Sequence, residues 1–260
     1  MTWVVGTSCR FGWAAGFGDI RVTFPNGVER DGIQKIHPVG RYIGAGFSGS
    51  VRIGFSMLSG LSQLLHGDEP GMAWDLSQVA EWWPQDARGI WERSPDLEKS
   101  ARSELMLFGV DPIRGNPWAK PYVYVFRSPE FAPTPTALTG MLETCSIGRG
   151  AGIKTYCEAI QNLAADEDLI RLEAGHPAGI VSGIDRRITE RLEALPIPGI
   201  SPHLHVCIAF RDRINCGTND RRYIGRPPET HFVMPPVARS YAEFNRMFGG
   251  TANAVEGATA

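Results

Sequence analysis

The feature that most restricts what this chain can fold into is how its apolar sequence is broken up. β-Branched and aromatic runs are short and stop at glycine or proline, which number 30 and 19 among 260 residues. Runs of that length bounded by such residues read as strands joined by turns. Strands are expected over residues 2–9, 16–23, 41–47, 104–110, 122–127, 144–147 and 203–210, with a tight turn at Asn26 and Gly27. Helical spacing is confined to a few stretches. Val51, Phe55, Leu58, Leu61 and Leu65 recur at three and four, so residues 50–65 form a helix with Ser50 as its N-cap. Further helices are expected from about Leu76, over 153–163 and over 180–195, the last ended by Pro196 and Pro198. Hairpins with segregated helices leave few places for parallel crossovers, so the expected class is α+β, built on antiparallel sheets.

With 43% hydrophobic residues the chain can bury one sizeable core. One domain is expected over 1–220, and a partly flexible C-terminal extension over 221–260, where the composition turns to PPETHFVMPP and then to small residues. A formal charge of −2 supplies no cationic field for phosphate backbones, which argues against nucleic acid as a partner. The longest apolar stretches are interrupted well before the ~20 residues that a bilayer crossing needs, so no membrane span is expected. The opening residues show no basic segment followed by a long apolar run, and no secretory signal is read there. Five cysteines, odd in number and without CxxC spacing, argue for reduced thiols in a cytoplasmic protein and against a zinc ribbon.

Three local patterns suggest chemistry and fall short of it. GFSGS at 46–50 places Ser48 between a strand and a helix, as a serine nucleophile elbow would, but Ser50 stands where that elbow needs glycine. GRGAGIKT at 148–155 approaches a phosphate-cradling loop, but Ile153 separates Gly152 from Lys154. His203 and His205 alternate onto one face of a strand, and no third metal ligand lies near them in sequence.

The fourth pattern begins at Thr2. A small residue at position 2 permits removal of Met1, which leaves an α-amine and a hydroxyl on one residue. The amine titrates near 8 in reference compounds, so the pair can act as nucleophile and base without a histidine. Lys35 is one of only four lysines against 22 arginines. An ammonium beside the Thr2 hydroxyl would favour its alkoxide, and a carboxylate at Asp19 would hold the ammonium in place.

From Thr2 to about Leu65 the chain resembles the β-type proteasome subunits, most closely the bacterial HslV peptidase. The residues that carry this are the start Thr2, Trp3, Val4, Val5; Gly18 and Asp19 with Val22 and Thr23 after them; Lys35 within GIQKI; and AGFSGS leading into an apolar helix. The resemblance implies a four-layer αββα sandwich of the N-terminal nucleophile hydrolases. It also implies a threonine peptidase enclosed in a homo-oligomeric double ring, acting on peptides or unfolded proteins supplied by a hexameric AAA+ ATPase unfoldase, without a cofactor. Thr2 would be the nucleophile and its α-amine the base, tuned by Asp19 and Lys35, with the Gly49 N–H as oxyanion donor. Phe47 would line the first specificity pocket, and Ser48 and Arg149 would lie beside the substrate. Arg149 stands where the resembled subunits carry a serine. Two alternatives are an amidase acting on small amides and a ring subunit without catalysis.

Overall fold

A computed structural model describes residues 2–66, 74–111, 120–136, 142–154, 177–218, 234–249 and 258–260. Strands β1 (Val4–Cys9) and β2 (Trp13–Asp19) form a hairpin, and β3 (Arg21–Thr23) pairs with β4 (Glu29–Asp31) around the expected turn. There the Gly27 N–H donates to the Phe24 carbonyl. β5 (Ile36–Pro38) and β6 (Ile43–Ser48) follow, then α1 (Val51–Leu65), α2 (Leu76–Glu92) and the short α3 (Asp96–Lys99). β7 (Glu104–Asp111), β8 (Lys120–Arg127), β9 (Thr134–Pro135) and β10 (Leu142–Ile147) lead to a 3-10 turn at Arg149–Gly152. The remaining elements are α4 (Pro177–Ala194), β11 (Leu204–Ala209), β12 (Ile214–Thr218) and α5 (Tyr241–Phe248).

These strands make two five-stranded antiparallel sheets, ordered β10-β1-β2-β11-β12 and β5-β6-β7-β8-β9, besides the β3-β4 ribbon. The sheets pack face to face across Val4, Ala14, Ile36, Met106, Phe108, Val123 and Ile147. Glycines on the first sheet set how closely they approach. A Cβ on Gly16 would fall 2.3 Å from the Phe108 ring, and one on Gly6 would fall 2.6 Å from Met106 Sδ. Small residues on one face thus receive large ones from the other, and truncating Phe108 would cost about 3–5 kcal/mol in lost packing.

Helices pack against the sheets. α1 starts as the sequence reading expects, with Ser50 Oγ accepting from the Ile53 N–H at 3.1 Å. Its Gly54 lies against the Phe47 ring, and Trp83, Val79 and Leu76 of α2 join the same core. On the other sheet, Val181, Ile184, Ile188 and Leu192 of α4 recur at three and four and pack with Trp13, Phe17 and Leu204.

Several details depart from the sequence reading. The stretch 16–23 is two strands, because the chain turns at Ile20 to start the ribbon. The helix expected over 153–163 lies almost wholly outside the described residues. The reduced-thiol expectation is corrected at one pair: Cys207 and Cys216 face each other across β11 and β12 and are joined as a disulfide. Cys9 and Cys145 are free thiols, and burial pushes both up to about 11. Within the expected C-terminal extension, residues 234–249 and 258–260 are described. Ser240 caps α5, and Phe244 is fully buried with its ring stacked 6.1 Å from Phe24.

Candidate active site

Strand register brings the first cluster together. β1 pairs with β2 so that Val4 faces Gly18, which sets Thr2 and Trp3 beside Asp19 at the end of the hairpin. β5 pairs with β6 so that Ile36 faces Gly46, and the Lys35 carbonyl accepts from the Phe47 N–H at 3.3 Å. Lys35 therefore reaches across from the second sheet to the first. Its Nζ donates to Thr2 Oγ1 at 3.1 Å and to both Asp19 oxygens at 2.9 Å. Asp19 and Lys35 are fully buried, and Thr2 is 1% exposed.

A buried ion pair is stable only when its remaining lone pairs are satisfied. Asp19 meets that condition through the backbone: Trp3 N–H donates at 2.8 Å, Arg21 N–H at 2.8 Å and Ser201 N–H at 3.4 Å. Burial pushes the Lys35 ammonium below the usual lysine range, against the pull of Asp19, which raises it. A second layer orients these donors. Asp31 accepts from Arg21 Nε at 2.7 Å and from Ser201 Oγ at 2.8 Å, with His203 Nδ1 at 3.4 Å. Burial would raise the Asp31 pKa, but the hydrogen bonds from His203, Arg21 and Ser201 hold it well below the usual carboxylate range.

Thr2 opens onto a cleft of about 910 Å³ whose lining includes Ser48, Gly49, Arg127, Ser146, Gly148 and Arg149. Gly49 has φ +96°, and a Cβ there would fall 2.1 Å from the Arg102 carbonyl oxygen, so only glycine fits. At Gly148, with φ +82°, a Cβ would fall 2.4 Å from the Thr2 carbonyl oxygen, which accepts from the Gly150 N–H at 3.0 Å. Arg149 is exposed at the cleft. Ser48 donates its Oγ to Glu104 at 3.1 Å. Phe47 does not line this cleft: its ring is buried in the core, 5.2 Å from that of Phe55. His203 is engaged with Ser201 and Asp31, and no cluster of three metal-ligating side chains occurs among the described residues.

Sequence reasoning missed Glu104. This buried acid accepts from Gly148 N–H at 2.7 Å, Ser48 Oγ at 3.1 Å and Arg127 Nε at 2.9 Å. It ties the turn after β10 to the end of β6, the two segments that flank Thr2. A glutamate at the start of a strand gives no local signal of such a role.

Comparison with solved structures finds Anbu (ancestral beta-subunit) from Yersinia bercovieri, with a TM-score of 0.59 over 85% of this chain and 89% of that one. The fold is proteasome-like. Sequence identity to that structure is 15%, so the likeness speaks for the fold. No protein family and no curated protein matches the chain. The resemblance to the β-type proteasome subunits and to HslV read from residues 2–65 is therefore corrected: no family is shown for the chain, and the likeness found is one of fold, to Anbu. Among the described residues no helix is long and apolar enough to cross a membrane.

Proposed function

We propose that this chain is a threonine-type peptidase acting through an acyl-enzyme on Thr2 after Met1 is removed. The observation that carries the reading is the buried Lys35 ammonium, 3.1 Å from Thr2 Oγ1 and anchored by both oxygens of Asp19. A fixed positive charge at that distance stabilises the developing alkoxide, and in a dry site it acts at low dielectric. Thr2 Oγ1 attacks the substrate carbonyl carbon while its proton passes to the α-amine. The oxyanion forms at the Gly49 N–H, the C–N bond breaks, and the leaving amine takes the proton back from the α-ammonium. Water, activated by the same amine, then hydrolyses the ester and frees Thr2.

The same proposal includes the four-layer αββα arrangement, a cytoplasmic location and a closed ring of copies that encloses the cleft, fed with unfolded chains by an ATPase. Closed point-group symmetry is the common state of homo-oligomers. Sedimentation that returns a stable monomer near 28.5 kDa would remove the ring.

The chemistry is tested with a peptide epoxyketone. An N-terminal threonine offers hydroxyl and amine on adjacent carbons, so a two-point adduct is expected on a first peptide that begins at Thr2, absent in Thr2→Ala and retained in Ser48→Ala. Retained Met1 in the native protein, or labelling that survives Thr2→Ala, would overturn the mechanism and leave the fold as it stands.

A further inference from the structure

The cleft beside Thr2 holds a strand of this chain. Residues 258–260 lie extended between Thr23 on one side and residues 49–51 on the other, antiparallel to both. Five main-chain hydrogen bonds hold three residues. Thr23 N–H donates to the Thr259 carbonyl at 2.9 Å, and Thr259 N–H returns to the Thr23 carbonyl at 3.0 Å. Across the slot, Val51 N–H donates to the Ala258 carbonyl at 3.0 Å, Gly49 N–H donates to the Ala260 oxygen at 2.8 Å, and Ala260 N–H donates to the Gly49 carbonyl at 2.7 Å. Thr259 and Ala260 line the same cleft as Thr2.

Two aspects set this apart from an ordinary edge strand. The contacts are almost wholly main-chain, which is how a groove takes an extended peptide with little regard to its sequence. The Ala260 oxygen also sits on the Gly49 amide, the group that the acyl-enzyme mechanism above needs for its oxyanion. Ala258 and Ala260 are 1% and 4% exposed and belong to the apolar cluster that includes Phe47 and Val51, so small apolar side chains fill both positions.

We infer that residues 258–260 are a built-in ligand of the substrate cleft, bound in the register of a peptide whose acyl residue is Ala260. The cleft selects extended peptides with small residues at that position and two before it, and the chain's own segment must leave before substrate binds. This deepens the peptidase reading and rests on it for the identity of the cleft. An occupant on the same chain competes at high effective concentration, so apparent affinity for an outside peptide falls by the fraction of time the slot is open.

The test compares the full chain with a variant lacking residues 258–260. Three readouts are used: the rate of Thr2 labelling by a peptide epoxyketone, followed by intact mass; the anisotropy of fluorescein-Gly-Ala-Thr-Ala added in trans; and the same probe ending in Phe. The shortened chain is expected to label at least about tenfold faster and to bind the probe where the full chain does not, with the Phe probe at least about tenfold weaker. Equal labelling rates together with no binding to the shortened chain would overturn the built-in ligand and leave the peptidase standing. Binding to the shortened chain alone, with neither protein labelled, would support the ligand and overturn the chemistry. Equal binding of the two probes would remove the small-residue preference. If the shortened chain fails to fold, Thr259→Pro removes the N–H given to Thr23 and places a ring against that strand, which weakens the segment's hold with the chain at full length. That variant is expected to label and to bind the probe faster than the full chain, and parity in both would overturn the proposal.

Discussion

Two carboxylates in this molecule, one fully buried and one half-buried, meet opposite fates. Asp19, at the junction of the two sheets, receives Lys35 on both oxygens and three backbone N–H groups besides. Asp185 on α4 is half-buried; its Oδ1 is shut off from solvent with no hydrogen-bond partner among the described residues, and desolvation pushes its carboxyl up to about 7. Strand ends supply free N–H groups to an acid placed among them; a helix interior has already spent its own. The partners thus hold an ion pair at one site, and desolvation without them leaves an acid at the edge of neutrality at the other.

The sharpest way to break the contrast is to take the cation from Asp19. Lys35→Ala leaves a buried carboxylate without its partner, and a stability loss of about 3–5 kcal/mol is expected in chemical denaturation. Lys35→Arg keeps a charge but cannot reproduce a compact ammonium between three oxygens. Turnover or Thr2 labelling in either variant is expected to fall by about 10²–10⁴. A labelling rate unchanged in both would return Lys35 to a purely structural role.

A smaller effect is expected from Asp185→Asn. The ordinary carboxyl value is 3.8 and the folded one about 7. Below pH 4 both folded and unfolded chains hold this proton, and between about 4 and 7 only the folded chain does. Stability from this group therefore falls as pH rises through that window, by at most about 1.4 kcal/mol per unit. Asp185→Asn should raise the melting temperature at pH 8 by several degrees, equivalent to about 1–3 kcal/mol, and change little at pH 4. A gain of the same size at both pH values would show that the carboxyl is not what destabilises the folded form.

The smallest expected change is at Arg149. Its side chain is exposed, and the Thr2 carbonyl is held by the Gly150 backbone, so Arg149→Ser should shift stability by less than about 0.5 kcal/mol. Its effect on labelling is expected to stay within about threefold. A loss of labelling beyond tenfold would make Arg149 part of the site.

What the sequence made legible follows distance along the chain. Helix 51–65 and its Ser50 cap are local, and periodicity and one residue type suffice to read them. Thr2, Asp19 and Lys35 do meet, but their spacing alone does not announce it: the resemblance carried by the residues around them brings the three together in the sequence reading. Ser201 reaches Asp19 across 182 positions, and Gly148 reaches Glu104 across 44, where no local pattern announces the contact. Phe47 shows a different limit. In β6 successive side chains alternate between faces, so the ring next to Ser48 turns under α1 and away from the cleft that Ser48 lines. The Cys207 to Cys216 pairing likewise depends on the β11 and β12 register, which counting cysteines does not supply.

The slot between Thr23 and residues 49–51 is bounded by backbone on both edges, with one strand hydrogen-bonded to each. Two strand spacings of about 4.8 Å place those edges roughly 10 Å apart, backbone to backbone. A helix with its side chains is about 10–12 Å across before any clearance is allowed. On the peptidase reading proposed above, the slot would be a gauge of shape, with room for one extended chain and none for a helix or a hairpin.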